Sequence, residues 1–283
     1  MTAAPVGITG ASGRLGSRVA QRLAALGVPQ RLLVRDLTRA PRLPGAEAAR
    51  APFGEPDAVR EALRGIPTVL MVSASGSQTR VAQHHTFAEA AAAAGVQHLV
   101  YISFLGAASD CTFTHGREHY ATEQHIRSLG LDFTFVRDNF YADLLPSFAG
   151  PDGVIRGPAG DGRVSAVAED DVADAVTAVL LDPSRHAGAT YSLTGPEALS
   201  LEAVATTLSH QLQRPIRYVE ESTEQAYASR AGLAPDWQIE AWVSTYTAIA
   251  NGELSAVTDD VCLLTGHPAT TLADLLRSGR SAY

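Results

Sequence analysis

Cysteine is scarce in this chain: Cys111 and Cys262 are the only two in 283 residues. They make no disulfide framework, and that usage fits a reducing compartment, so a cytoplasmic location is expected. No apolar run approaches membrane-spanning length, and no membrane partner is expected. The start of the chain has no basic segment leading into an apolar stretch, which argues against a secretory leader. Basic residues are outnumbered, 22 Lys and Arg against 30 Asp and Glu, for a net charge of −8. A general nucleic-acid surface needs a basic face, so no nucleic-acid partner is expected. Internal repeats and low-complexity tails are missing, as are a G-x-S-x-G elbow and a C-x-x-C pair. What remains is 46% apolar, with mean hydropathy of +0.01. That describes a globular chain long enough for one large domain or a domain with an appended lobe.

The most informative segment is Thr9-Gly10-Ala11-Ser12-Gly13-Arg14-Leu15-Gly16. It follows a short apolar run with Val6 and Ile8 and opens a helical pattern with Leu15, Val19, Leu23 and Leu26. A strand turning into a helix through such a string is where a dinucleotide's pyrophosphate sits. Gly10 permits the tight turn, Gly13 lets the backbone approach phosphate, and Gly16 lets the helix pack close. Backbone N–H groups and the helix dipole attract the anion.

Strand and helix patterns alternate after that turn. Strands are expected at Arg31–Arg35, at a weak segment closing near Phe53, and at Thr68–Ser73, Val96–Ser103 and Leu131–Arg137. Between them lie a helix opened by Pro56, an alanine-rich helix over Thr79–Ala94 and a helix over His115–Leu129. Such alternation predicts an α/β fold with a doubly wound parallel sheet. Residues 146–163 read as loops around a hairpin. Beyond them, Asp170 and Asp171 open a helix with Val172, Val176 and Val179 inward. A strand follows at Thr190–Leu193, then helices at Ser200–Leu212, Trp237–Ala250 and Thr271–Leu276. Ile216–Val219 is a short strand, and Ser222 with Gln225 has capping-box spacing.

TGASGRLG at 9–16, LLVRD at 32–36 and HYATEQHI at 119–126 resemble the NmrA-like branch of atypical short-chain dehydrogenases. LDFTFVRDNFYAD at 131–143, GPAGDGRVSAVAEDDVADA at 157–175 and TGHPATTLADLL at 265–276 extend the likeness in order. Within that branch the chain looks most like the NAD(P)H:quinone oxidoreductase type 2 and triphenylmethane reductase group. The resemblance implies a Rossmann-type domain over 1–145, to which 164–194 returns. It also implies a smaller C-terminal α/β lobe over 146–283 and a cleft between the two. The implied activity is NADPH-dependent hydride transfer to a quinone or similar conjugated small molecule. The same family includes non-enzymatic NADP(H)-sensing regulators that bind a partner protein, which is the rival reading. Oligomeric state stays open, a homodimer included.

An acid at the end of the second strand favours NAD, and an arginine accommodates the 2′-phosphate of NADP. This chain has both, Arg35 and Asp36. The resemblance gives Arg35 the 2′-phosphate, so NADPH is expected over NADH. It also places Phe53 beside adenine, Ser73 and Ala74 along the cofactor, and Ser103 and Asn139 near the nicotinamide.

Classical short-chain dehydrogenases carry a Tyr-x-x-x-Lys pair on the helix before the sixth strand. Here those positions are His115 and His119. The usual proton-donating dyad is missing, which suits acceptors such as quinones that need hydride and can take protons from water. His119 is expected to bond the ribose in place of lysine. His115, one turn earlier, is expected to polarise the acceptor. Tyr141 carries over as a substrate-side group. His115-Gly116-Arg117-Glu118-His119 also matches a zinc-binding H-x-x-E-H string. It lies on the expected dehydrogenase helix and has no clear third ligand, so no metal is expected. His84-His85 cannot share a helix face and reads as a surface feature. Asp170 and Asp171 read as helix caps rather than an acid pair.

Overall fold

The computed structural model describes residues 4–279. In chain order the strands are β1 (Val6–Thr9), β2 (Gln30–Val34), β3 (Ala46–Arg50), β4 (Thr68–Met71), β5 (His98–Phe104), β6 (Asp132–Asp138), β7 (Val154–Gly157), β8 (Arg163–Val164), β9 (Thr190–Leu193), β10 (Leu199–Ser200) and β11 (Arg217–Glu220). The helices are α1 (Arg14–Ala25), α2 (Pro56–Ala62), α3 (Arg80–Ala93), α4 (Thr114–Ser128), α5 (Glu169–Leu181), α6 (Leu201–Leu212), α7 (Thr223–Arg230), α8 (Asp236–Ala250), α9 (Asp260–Thr265) and α10 (Leu272–Arg277).

Seven strands form one sheet in the order β3-β2-β1-β4-β5-β6-β9. β1 pairs in parallel with both β2 and β4, β2 with β3, and β4 with β5. β9 continues the same direction: the N–H of Phe135 donates to Ala189, and that of Asn139 to Leu193. The order reverses at β1, so the crevice beyond β1 and β4 is the topological switch point. β4 is buried at every position, as a central parallel strand requires. β3 carries Glu47 and Arg50 and is largely exposed, as suits an edge.

The chain divides into two compact units. The first runs to Ser103 and includes Glu118–Arg137 and Val172–Tyr191. Its core packs Leu63, Val69, Met71, Phe87, Leu99, Tyr101 and Phe135. The second holds Phe104–Arg117, Asp138–Asp171 and the chain from Ser192 onward. The expected division is 1–145, with 164–194 returning to it, and 146–283; the main difference is that Phe104–Arg117 and residues 138–145 fall in the second unit. The reason is apolar: Phe104, Phe113, Ala142 and Leu145 are buried in the second unit's core with Ile155, Leu208 and Ile249.

The hairpin expected within 146–163 shrinks to one antiparallel bridge, Ala149 to Ile155. β7 pairs in parallel with the distant β11, and β8 pairs with β10. The capping box at Ser222 and Gln225 is present, and Ser200 caps α6. Asp170 and Asp171 stand in the first turn of α5, where the N–H of Glu169 donates to Asp143. Asp171 holds Thr270, accepting from its N–H and hydroxyl. No helix among the described residues is long and apolar enough to cross a membrane.

Candidate functional site

β1 ends at Thr9, whose buried hydroxyl accepts the N–H of Val72 at 2.8 Å. That bond ties the ends of β1 and β4 at the switch point. The chain then turns through Gly10, which has a left-handed φ of +64°. A side chain there would be strained, and its Cβ would lie 3.2 Å from Val72. Gly13 donates to the Gly10 carbonyl at 2.8 Å. It stands at the N-cap of α1 with no side-chain cap, and no acid occupies the first turn. Gly16 is the tightest point: a Cβ would fall 2.3 Å from the Gly10 oxygen. The first turn of α1 therefore lies directly on the loop. A helix N-terminus without a carboxylate in its first turn is a place for an anion.

A cavity of about 260 Å³ opens on this turn. Gly10, Ser12, Gly13, Arg14, Leu15 and Gly16 line one end. Arg35 and Arg39, beyond β2, line another part, while Ser73, Ala74 and Phe53 form a wall. Phe53 is held by stacking on Phe87, with ring centroids 4.4 Å apart. Asp36 is turned onto Thr38, accepting both its N–H at 2.9 Å and its hydroxyl at 2.7 Å. Those bonds hold the carboxyl below its ordinary range. Asp36 does not line the cavity, whereas both arginines do. A guanidinium matches phosphate geometry. The cradle thus fits a dinucleotide with a diphosphate and a further phosphate. Val72, Ser75, Gln83 and Arg39 also line it, beyond the residues the sequence indicates; for Arg39 the readable signal is a second guanidinium four residues after Arg35.

Four expected cofactor residues lie outside the lining. Ala11 is fully buried under the turn. Ser103 is buried, and its hydroxyl donates to Glu123 at 2.6 Å. Glu123 in turn receives two bonds from Arg137. Asn139 is employed inside the second unit. Its amide N–H groups reach Ser165 and the Leu254 carbonyl, and its oxygen accepts from Phe140. An amide so committed holds loops together and has no donor left for a ligand.

His119 is buried, and both ring nitrogens are engaged. Nε2 faces Arg80 Nη2 at 2.8 Å, and Nδ1 faces the Tyr101 hydroxyl at 2.9 Å. Arginine only donates, so Nε2 accepts and Nδ1 carries the proton. The expected ribose bond therefore meets a ring already tied within the first unit. His115 falls in the second unit, half-buried, with its ring edge-on to Phe113 at 5.5 Å. Tyr141 is also in the second unit and donates its hydroxyl proton to Asp138.

His84, read as a surface feature, is fully buried. It lies on one stripe of α3 with Arg80, Phe87, Ala88 and Ala91, a spacing that signals burial. His85 points the other way and stacks on His125, 3.9 Å between centroids. All 22 basic residues of the chain are arginines, so no lysine exists anywhere to complete a Tyr-x-x-x-Lys pair. Among the described residues, no group of three or more His, Cys, Asp or Glu is arranged to hold a metal ion.

The strand order, the glycine turn and the cavity at the switch point define a Rossmann-type dinucleotide-binding α/β protein. The chain belongs to the NmrA-like family, whose model matches residues 3–257. It is 32% identical to the NAD(P)H azoreductase of Xenophilus azovorans over 282 residues, covering 98% of each chain. It is 34% identical over 275 residues to the (4-alkanoyl-5-oxo-2,5-dihydrofuran-3-yl)methyl phosphate reductase of Streptomyces griseus subsp. griseus, covering 94% of this chain and 95% of that one. Among solved structures it resembles the NADPH-dependent quinone oxidoreductase of Escherichia coli complexed with NADPH. The TM-score is 0.88, with 29% identity over 97% of this chain and 99% of the other.

Proposed function

We propose that this protein reduces a quinone or a similar conjugated acceptor with NADPH. It is an NAD(P)H-dependent oxidoreductase, like the reductases it matches along nearly its whole length. The observation that carries the finer reading is the helix that lacks its dyad. His115 and His119 stand where a tyrosine and a lysine serve carbonyl reduction, and the chain has no lysine to substitute. An acceptor whose reduced form delocalises charge needs no dedicated acid in the same step.

Bound NADPH supplies the hydride. The turn at Gly10–Gly16 holds the diphosphate through backbone N–H groups and the N-terminus of α1. Arg35 and Arg39 hold the 2′-phosphate, and Phe53 stands beside the adenine. Ser73 and Ala74 run along the middle of the cofactor. His119 holds the architecture behind the cavity rather than the ribose itself. We assign the acceptor to His115 and Tyr141. The bond from Tyr141 to Asp138 pins the phenol in place.

The test is NADPH oxidation, followed by absorbance, with a panel of quinones, azo dyes and cationic triarylmethane dyes. Turnover with a quinone is expected. A protein that binds NADPH yet oxidises it with none of them overturns the proposal in favour of nucleotide sensing. Arg35→Ala is expected to weaken NADPH binding about tenfold, the loss of roughly 1.4 kcal/mol at an exposed charged contact. NADH binding should hardly change. Equal losses for both coenzymes would remove Arg35 from the 2′-phosphate.

A further inference from the structure

We propose that Arg80 and His84, one turn apart on α3, are positioning residues that clamp both sides of Ala74 and so set the β4 wall of the nucleotide cavity. This rests on the reading that the cavity takes NADPH. Beyond β4 the chain runs irregularly to α3, and Ser73, Ala74 and Ser75 line the cavity there. Backbone in such a segment has no sheet ladder to satisfy it. α3 supplies partners instead. The Ala74 N–H donates to His84 Nε2 at 2.9 Å, and the Ala74 carbonyl accepts from Arg80 Nε at 2.8 Å. One residue thus has its backbone donor and acceptor both captured by side chains from the same helix face.

The clamp is anchored from behind. Because Ala74 donates to Nε2, the His84 proton sits on Nδ1, which faces Thr122 Oγ1 at 3.0 Å. Thr122 gives its own proton to the Glu118 carbonyl at 2.9 Å, so its oxygen accepts from His84. Arg80 spends its other nitrogens on Glu118 at 2.8 Å and on His119 at 2.8 Å. The two side chains are 4% and 0% exposed, so water offers no alternative partner. The His84 ring also meets the edge of Phe53, another lining residue, at 6.1 Å. Burial holds His84 neutral, which keeps Nε2 available to accept.

A merely structural role would cost stability alone, whereas a positioning role must also appear in nucleotide affinity. The experiment titrates NADPH into the parent protein and into His84→Leu, His84→Gln and Arg80→Lys, with melting temperatures measured alongside. Leucine fills space without an acceptor, and glutamine restores an acceptor near Nε2. Lysine keeps the charge facing Glu118 but loses the Nε donor that reaches Ala74. His84→Leu and Arg80→Lys are expected to weaken NADPH binding about tenfold, and His84→Gln to recover most of that loss. Where His84→Leu fails to fold, Arg80→Lys and His84→Gln carry the comparison. Folded variants that bind NADPH as tightly as the parent overturn the clamp and leave the cavity reading intact. A folded parent that does not bind NADPH overturns the cavity reading, and the clamp's role falls with it.

Discussion

Gly16→Ala is expected to reduce NADPH affinity by about a hundredfold, equivalent to roughly 2.7 kcal/mol, and to lower the melting temperature as well. The added Cβ would sit 2.3 Å from the Gly10 oxygen, 2.5 Å from the Gly10 carbonyl carbon and 2.8 Å from the Thr9 oxygen. Those are backbone atoms, with no rotamer to move into. The strain is relieved only if α1 slides away from the loop, a change of the overpacking kind that costs about 1–3 kcal/mol. The same slide displaces the first-turn N–H groups of α1, so binding falls together with stability. Gly13→Ala is the internal control, because its Cβ would meet only the Gly10 oxygen, at 3.2 Å. A milder loss is expected there. Coenzyme titration and thermal melting decide the matter: Gly16→Ala behaving like the parent in both would mean the helix does not bear on the loop as described.

Local sequence made this half of the site readable. The turn, the strand before it and the helix after it are contiguous, so the pattern of glycines and apolar residues contains its own geometry. The Ser222–Gln225 capping box was legible for the same reason. What failed to read was set by partners distant in the chain. Two adjacent histidines cannot share a helix face, which by itself reads His84 and His85 as a surface feature. Yet one of them still faces inward, on the stripe with Phe87 and Ala88. Asn139 looked like a ligand contact because it follows β6. Its amide is in fact consumed by Ser165 and Leu254, positions no local pattern connects to it. β7 looked like half of a hairpin until β11, some sixty residues on, became its neighbour.

Acid sensitivity is the second large effect, and it follows from the same buried histidine. Burial, then the positive charge of Arg80, then that of His85, push the His84 pKa from its ordinary 6.5 down to about 2. In the unfolded chain His84 takes up a proton as pH falls through 6.5, while in the folded chain it resists. Below pH 6.5 the unfolded state therefore binds more protons, and stability falls with pH. The contribution is complete above 6.5 and is lost progressively down to about 2. Each pH unit costs roughly 1.4 kcal/mol, so by pH 4.5 the loss from this one group is roughly 2–3 kcal/mol. Burial lowers His98, His85 and His186 in the same direction and adds to the slope. The depressed carboxylates are all exposed and begin to matter only lower, Glu55 and Glu224 as pH falls past their ordinary 4.5 and Asp36, Asp152 and Asp274 past 3.8. Between pH 6.5 and 4.5 the histidines thus govern. His84→Gln keeps an acceptor for Ala74 but removes the titrating ring. Urea unfolding of that variant at pH 7 and pH 4.5 should show an acid-induced loss smaller than the parent's by roughly 2–3 kcal/mol. Identical pH profiles for parent and variant would place the His84 proton equilibrium outside the folding balance, and with it the dry, neutral imidazole on which the Ala74 contact depends.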